Sequence, residues 1–389
     1  MSALVLSRSS SRRLTVMVSS CAAALLAACS STGSGVQTGS IGASDAVGRG
    51  GANGSSTSGQ ASTTSEVPIT AWPLTGVSLS DGNAARRAVV VAKIDNAPAA
   101  RPQTGVNQAD SCIEEKVEGI TRLMCLFHSG DADPVGPIRS ARSSDVDLMG
   151  PLNRPVLLWS GGNPGVTSEV EGSAALGFLI EAGEPTNKDR YYRDNRRQMP
   201  HNLYTSTAAM RDVFAPSPVV PPHPIFAFRA ADAPLPIAAE DGPGITIDFG
   251  RNVKVDYVWD PERLGWNRFQ VDESHPRGRS AVVDSDGMQV APANVVILIV
   301  PYGASDADSR SPKAITQGEG DAIVLTGGKL VYGHWKRPVS FSPWELTDKA
   351  GNVIGLTPGR TWIALPEAGG PSPVVLDPEA AGRLQSERK

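Results

Sequence analysis

Asp110-Ser111-Cys112-Ile113-Glu114-Glu115-Lys116-Val117-Glu118-Gly119-Ile120-Thr121-Arg122-Leu123-Met124-Cys125-Leu126-Phe127-His128 holds two strand-like runs, 110–117 and 120–128, split by Glu118-Gly119. A two-residue connection of this kind makes a hairpin, and it pairs residue i with residue 237 − i. Cys112 then falls opposite Cys125, at a non-hydrogen-bonded pair where Cα atoms lie about 4.5 Å apart, a separation a disulfide accepts. Two buried free thiols are the other reading of that pair. The same register sets Glu115 opposite Arg122, on a face otherwise made by Ile113, Val117, Ile120 and Met124. A one-residue change in the turn would bring Glu114 there instead. A charged pair on an apolar face either fixes the hairpin or serves a site.

Upstream, residues 88–94 form a nearly continuous apolar run, the mark of a buried strand, which delivers Asp95-Asn96 into a loop over 97–105. Downstream lies Gly136-Pro137-Ile138-Arg139-Ser140-Ala141-Arg142-Ser143-Ser144-Asp145. Ser143 or Ser144 is expected to cap a helix with Asp145 and Asp147 in its first turn. Arg139 and Arg142 would stand beside the exposed amides of that helix, where anions are favoured and arginine binds phosphate or carboxylate bidentately. Pairing with Asp145 and Asp147 is the competing use of both arginines. A strand over 156–159 runs into Ser160-Gly161-Gly162-Asn163-Pro164-Gly165, either a plain turn or a close backbone approach to a ligand. Residues 190–197 are basic and aromatic, and His201, before a helix capped by Thr205 or Ser206, is a structural group or a general acid–base.

These signals define a mixed α+β (α/β) N-terminal domain over 67–215, a Pro-rich connection over 216–244, and a second, β-rich C-terminal domain over 245–378. The β-like runs of the second half are 253–259, 295–300, 322–326, 329–335 and 361–365, and 379–389 reads as a polar tail.

At the other end, Arg8, Arg12 and Arg13 precede an apolar, small-residue stretch closing on Leu26-Ala27-Ala28-Cys29. Residues 1–28 therefore read as a lipoprotein signal peptide. The apolar stretch is shorter than the about 20 residues a membrane span needs. Cys29 would carry the diacylglyceryl and palmitate-type chains; each buried methylene adds about 0.8 kcal/mol to membrane affinity, so two or three chains hold firmly. An ordinary secreted protein with an incidental Cys29 is the plainer reading. Residues 29–66, rich in Gly, Ser and Thr, are too polar to build a core and read as a flexible, disordered tether with a reach of roughly 33 Å. The expected location is extracytoplasmic, on the cell membrane, where a Cys112–Cys125 disulfide is chemically permitted. Losing three arginines and no acid moves the net charge from −4 to about −7, with no electrostatic footprint for nucleic acid.

Several ordered motifs then stand out: PLTG from Pro73, IDNAPAARPQTGVNQAD from Ile94, EEKVEGITR from Glu114, GPIRSAR from Gly136, PHNLYTS from Pro200, and in the second half NVV from Asn294, GHW from Gly333 and PGRTWI from Pro358. Together they resemble the YerB-like lipoproteins over nearly the whole chain after the tether. The hairpin turn departs from that pattern, with Gly119 where the family has two glycines. The resemblance implies a two-domain extracytoplasmic lipoprotein of unknown molecular function, with polar positions at Asp95, Asn96, Arg101, Gln103, Glu114, Arg122, Arg139, Arg142, His201, Asn202 and Tyr204. Most of these lie in loops or at strand ends, where α/β sheets build ligand sites.

No Gly-x-Ser-x-Gly, His-Glu-x-x-His, P-loop or metal-spaced Cys/His set is present, so no cofactor or metal is expected. Two readings follow. One is a cell-envelope binding or scaffolding protein with an arginine-lined site for an anionic envelope ligand. The other is an enzyme acting on phosphorylated or lipid-pyrophosphate-linked glycan, a transferase or hydrolase. Its aspartate, arginine cluster and later Gly-rich strand end are similar in order, not in sequence identity, to the LytR-CpsA-Psr phosphotransferases, which grip a lipid pyrophosphate with arginines.

Overall fold

The structure, a computed structural model, describes residues 68–386 apart from 236–237, 252, 276–277 and 310. The expected signal peptide, Cys29 and tether lie outside the described residues. Strand β1, Val90–Asp95, is buried along its whole length. Because successive side chains of a strand point to opposite faces, Val90, Ala92 and Ile94 enter one core while Val89 and Val91 enter another. Each such fully buried Val or Ile side chain contributes about 1.5–3 kcal/mol.

Strands β2 (Ser111–Lys116) and β3 (Thr121–Phe127) form the hairpin, with Cys112 opposite Cys125 and Glu115 opposite Arg122. The turn closes through the Val117 N–H to Ile120 O bond at 2.9 Å, and Gly119 supplies φ +82° there, a conformation that suits glycine. Cys112 and Cys125 are joined by a disulfide with Cα atoms 4.2 Å apart. β1 pairs antiparallel with β3, and β4 (Val156–Leu158) pairs parallel with β1.

On the far side of β2 the sheet continues into the second half of the chain. Thr361–Leu365 lies parallel to β2, followed in order by Asn294–Leu298, Gly318–Thr326, Lys329–Arg337 and Glu345–Asp348. The Pro-rich stretch over 216–244 thus separates two segments in sequence but not two sheets. A second sheet, ordered Arg279–Ala281, Gly265–Val271, Lys254–Asp260, Gly244–Asp248, Val374–Val375, packs on one face of the long one. Ile245, Val255, Tyr257 and Trp266 share that core with Val90, Cys125 and Trp362. The opposite face is covered by helices α1 (Ser144–Met149) and α2 (Pro164–Ala175), through Leu148, Met149, Val166 and Val170, and by Phe226 and Trp344.

The described chain is mostly β, with strands and helices mixed in the first half and strands dominating the second. Its helices are short: six residues in α1, twelve in α2 and eight in α3 (Thr207–Phe214). They cover the sheet locally and do not form a full layer. The expected polar tail also differs. Pro378–Ser386 is a helix because Ala381 packs on Val258 and Phe269 and the Gln385 amide donates to Trp259 O at 3.1 Å. Among the described residues no helix is long and apolar enough to cross a membrane.

Candidate functional site

Nine of the eleven polar positions divide between the two faces of the hairpin sheet. Asp95 and Asn96 are adjacent, yet Asp95 shares the face of Arg122 while Asn96 turns to that of Glu114.

On the first face, residues 136–139 run beside the end of β1. The Asp95 N–H donates to Pro137 O at 2.9 Å, the Arg139 N–H to Lys93 O at 2.8 Å, and the Ile138 N–H to Leu203 O at 2.7 Å. This stitching sets Arg139 Nε 3.0 Å from Asp95 Oδ2. His201 Nδ1 meets the same oxygen at 2.8 Å. Asp95 is 1% exposed, against 28% for the Arg139 side chain and 20% for that of His201. Burial pushes the Asp95 carboxyl up, but the Ala97 amide, Arg122, His201 and Arg139 outweigh it and hold it below the ordinary aspartate value. Burial lowers Arg122 to about 10; Asp95 opposes that shift, while Arg142 and Arg139 add to it. Arg122 donates to Ser140 O at 3.1 Å, and its buried Nε has no partner among the described residues.

The neighbouring segment differs from the sequence expectation. Ser143, at the start of α1, makes no side-chain cap bond; its hydroxyl meets that of Ser305, and the Ser144 hydroxyl accepts the Ala314 amide at 2.9 Å. Asp145 turns back to accept the Arg142 N–H at 2.7 Å. The chain's own carboxylate therefore occupies the place expected for an anion. The Arg142 guanidinium binds Glu118 of the hairpin turn, with Nη2 at 2.6 Å, instead of Asp145 or Asp147. The Ser160–Gly165 loop also has a structural use. Asn163 caps α2 by accepting the Val166 amide at 2.9 Å, and the Ser160 N–H donates to Arg139 O at 3.0 Å, holding the arginine segment.

Beneath this face lies a group that a purely apolar reading of 88–94 misses. Lys93 Nζ is fully buried, 2.8 Å from Glu115 Oε1 and 2.7 Å from Asp145 Oδ1. Glu115, expected to meet Arg122, stands opposite it in register but takes its ion pair from Lys93. One cation faces two carboxyls, so burial pushes Asp145 up to about 7 against the pull of Lys93, with Glu115 adding to the rise.

The second face is organised around Glu114, which is 0% exposed. It accepts two bonds from Arg268, at 2.9 and 3.0 Å, one from the Trp362 indole at 3.0 Å and one from Thr121 at 2.7 Å. Arg268 is buried, 4.4 Å above the Trp362 ring, and meets Tyr257 Oη at 2.6 Å. Asn96 donates to Thr121 at 2.8 Å and accepts from Gln103 at 2.9 Å, while Arg101 donates to Asn96 O at 3.1 Å and Val271 O at 3.2 Å.

The last two positions belong to the loop bearing His201. Asn202 pins it by donating to Asp194 O and Arg197 O, at 3.3 and 3.2 Å. Tyr204 stacks on Tyr192 at 5.8 Å and lies over Gly136, where any Cβ would come within 2.6 Å of its ring.

Comparison with known proteins agrees with this architecture. Residues 74–219 match the N-terminal-domain model, and residues 245–363 the C-terminal-domain model, of a family described as a protein of unknown function (DUF3048). Bacillus subtilis YerB, whose name designates it a lipoprotein, is 28% identical over 300 residues, spanning 75% of this chain and 84% of that one. The chain belongs to the YerB-like family. The crystal structure of B. subtilis YerB superposes with a TM-score of 0.64 at 24% identity, covering 79% of this chain and 99% of that chain, and so shares its fold. In this member of the family, the partner that Glu114 needs comes from Arg268 on Gly265–Val271, a strand that the reading of the second half passes over. The indole it also needs, Trp362, sits in the expected 361–365 run. Lys93 had one sequence signal, a lone cation inside an apolar run.

Proposed function

We propose that this chain is a lipid-anchored, extracytoplasmic protein of the cell envelope that binds an anionic, phosphate-bearing envelope ligand on the surface formed by Arg122, Arg139 and His201. The Arg139 guanidinium carries this reading. Only its Nε is tied, to Asp95, so its terminal nitrogens take no hydrogen bond among the described residues and stand part-exposed beside two further arginines. A guanidinium fork of this kind matches phosphate or carboxylate oxygens. Arg142 has a supporting place, because Glu118 already occupies its fork. The anchor is supported by the sequence around Cys29 and by the name of the B. subtilis relative. Incorporation of labelled palmitate that persists in Cys29→Ser would rule it out.

A second reading, an enzyme on phosphorylated envelope glycan, has one observation in its favour. Asp95 holds His201 through Nδ1, leaving Nε2 without a partner among the described residues and able to move a proton at a ligand oxygen.

Titration of the full chain with polyprenyl pyrophosphate and with cell-wall fragments, followed by a turnover assay, separates the two readings. Arg139→Ala is expected to weaken pyrophosphate binding ten- to a hundredfold, on the scale of one charge-assisted bond of about 1.5–3 kcal/mol, and Arg142→Ala by much less. Unchanged affinity in Arg139→Ala sinks the anion site. Turnover that disappears in His201→Gln while binding remains selects the enzyme.

A further inference from the structure

The opposite face holds a second, separate site. A cleft of about 350 Å³ opens between the hairpin turn and the strands around Val253 and Val271, over the polar group of Asn96 and Glu114. Its walls are aliphatic at Ile120, Val253 and Val271. Polar groups of both signs converge on it, and the fold leaves some of their atoms unused. Gln270 spends its amide oxygen on Arg268, but its Nε2 donates to nothing among the described residues. Arg251 lies over Gly119, with Nη1 3.9 Å from the position a Cβ would take there, and its guanidinium is likewise unbonded. Glu273, which lines the same cleft, is exposed and has no hydrogen-bond or ion-pair partner among the described residues. Arg101 fastens the two walls through its terminal nitrogens, and its buried Nε is unpartnered.

Aliphatic walls with a few convergent polar groups are the usual make-up of a small-ligand pocket, and the volume falls in the usual range of about 300–1,000 Å³. The donor and cation left open (Gln270 Nε2, Arg251) fit a carboxylate, the Glu273 carboxylate fits an ammonium, and the aliphatic walls fit a short alkyl side chain. We infer that the cleft binds a short peptide with free ends, its carboxylate on Arg251 and Gln270 and its amine toward Glu273. This site is independent of the Asp95 surface: Asp95 and Asn96 point to opposite faces, so either can fail without the other.

The test uses L-alanyl-L-alanine, its N-acetyl form and its C-terminal amide, titrated into the full chain by calorimetry. Saturable binding of the free dipeptide is expected, weakened at least tenfold by blocking either end. Arg251→Ala, on the exposed rim, and Gln270→Glu, which keeps the oxygen facing Arg268 but turns the donor into an acceptor, should each weaken it at least tenfold with the melting temperature unchanged in Arg251→Ala. No saturation by the free dipeptide, equal binding of the amide, or unaltered affinity in the Arg251→Ala, Gln270→Glu double variant overturns the assignment.

Discussion

Glu114 and Glu115 are consecutive residues of one strand, both buried, and their surroundings differ in balance. Glu114 faces one guanidinium that it matches bidentately, plus an indole and a hydroxyl donor, so charge and hydrogen bonds close around it. Glu115 competes with Asp145 for a single ammonium, and its second oxygen has no partner among the described residues. Excess acid in a dry site is relieved by a proton. The Glu114 group thus acts as a fixed joint between the halves of the chain, whereas the Lys93 group holds a titratable proton beside the Asp95 surface.

The largest expected effect comes from breaking the joint. Glu114→Ala strands Arg268 as an uncompensated buried charge and should cost about 3–5 kcal/mol, read as a lowered denaturation midpoint. Glu115→Ala leaves Lys93 paired with Asp145 and should cost about 1 kcal/mol. Equal losses in the two variants would erase the distinction between the faces.

A smaller effect sharpens the comparison through pH. Burial raises Asp145 from 3.8 to about 7, so between about pH 4 and pH 7 the folded chain keeps a proton that the unfolded chain releases. Its contribution to stability therefore falls as pH rises through that window and is flat above it. The limit is about 1.4 kcal/mol per pH unit for one proton. Asp145→Asn should remove this slope, measured as the difference between variant and parent from pH 4.5 to 8; parallel curves would contradict it. Burial pushes Glu115 up, but Lys93 outweighs it and holds the carboxyl below its ordinary value, so Glu115 acts in the opposite sense, its contribution being lost as pH falls below about 4.5.

Much of the hairpin was legible in the sequence because a two-residue turn and a strand's alternation are local. Together they fix the register opposite Cys112, and with it which side of the sheet each glutamate faces. The partners of those glutamates were not legible. Arg268 lies 154 residues from Glu114, and no periodicity carries that distance. Lys93 was hidden because a strand buried on both faces reads as apolar throughout, and a single cation in it is informative only once two acids are found beneath. Asp95 and Arg139 were legible as polar groups at a strand end and in a loop, but their meeting depends on residues 136–139 docking along β1. The helix Pro378–Ser386 was missed because only Ala381 and the partly buried Leu384 pack it on the sheet, too few apolar positions to show a helical period.

The long sheet also has a consequence for the order of events in synthesis. Strand β2 takes its second neighbour from Thr361–Leu365, some 250 residues downstream. Until that segment emerges, the hairpin presents an unpaired edge, the kind of surface that recruits foreign strands. Long-range parallel pairing is also intrinsically slow to form. A nascent chain stalled before residue 361 thus exposes an adhesive edge, and the strand that caps it is the last of the long sheet to be made.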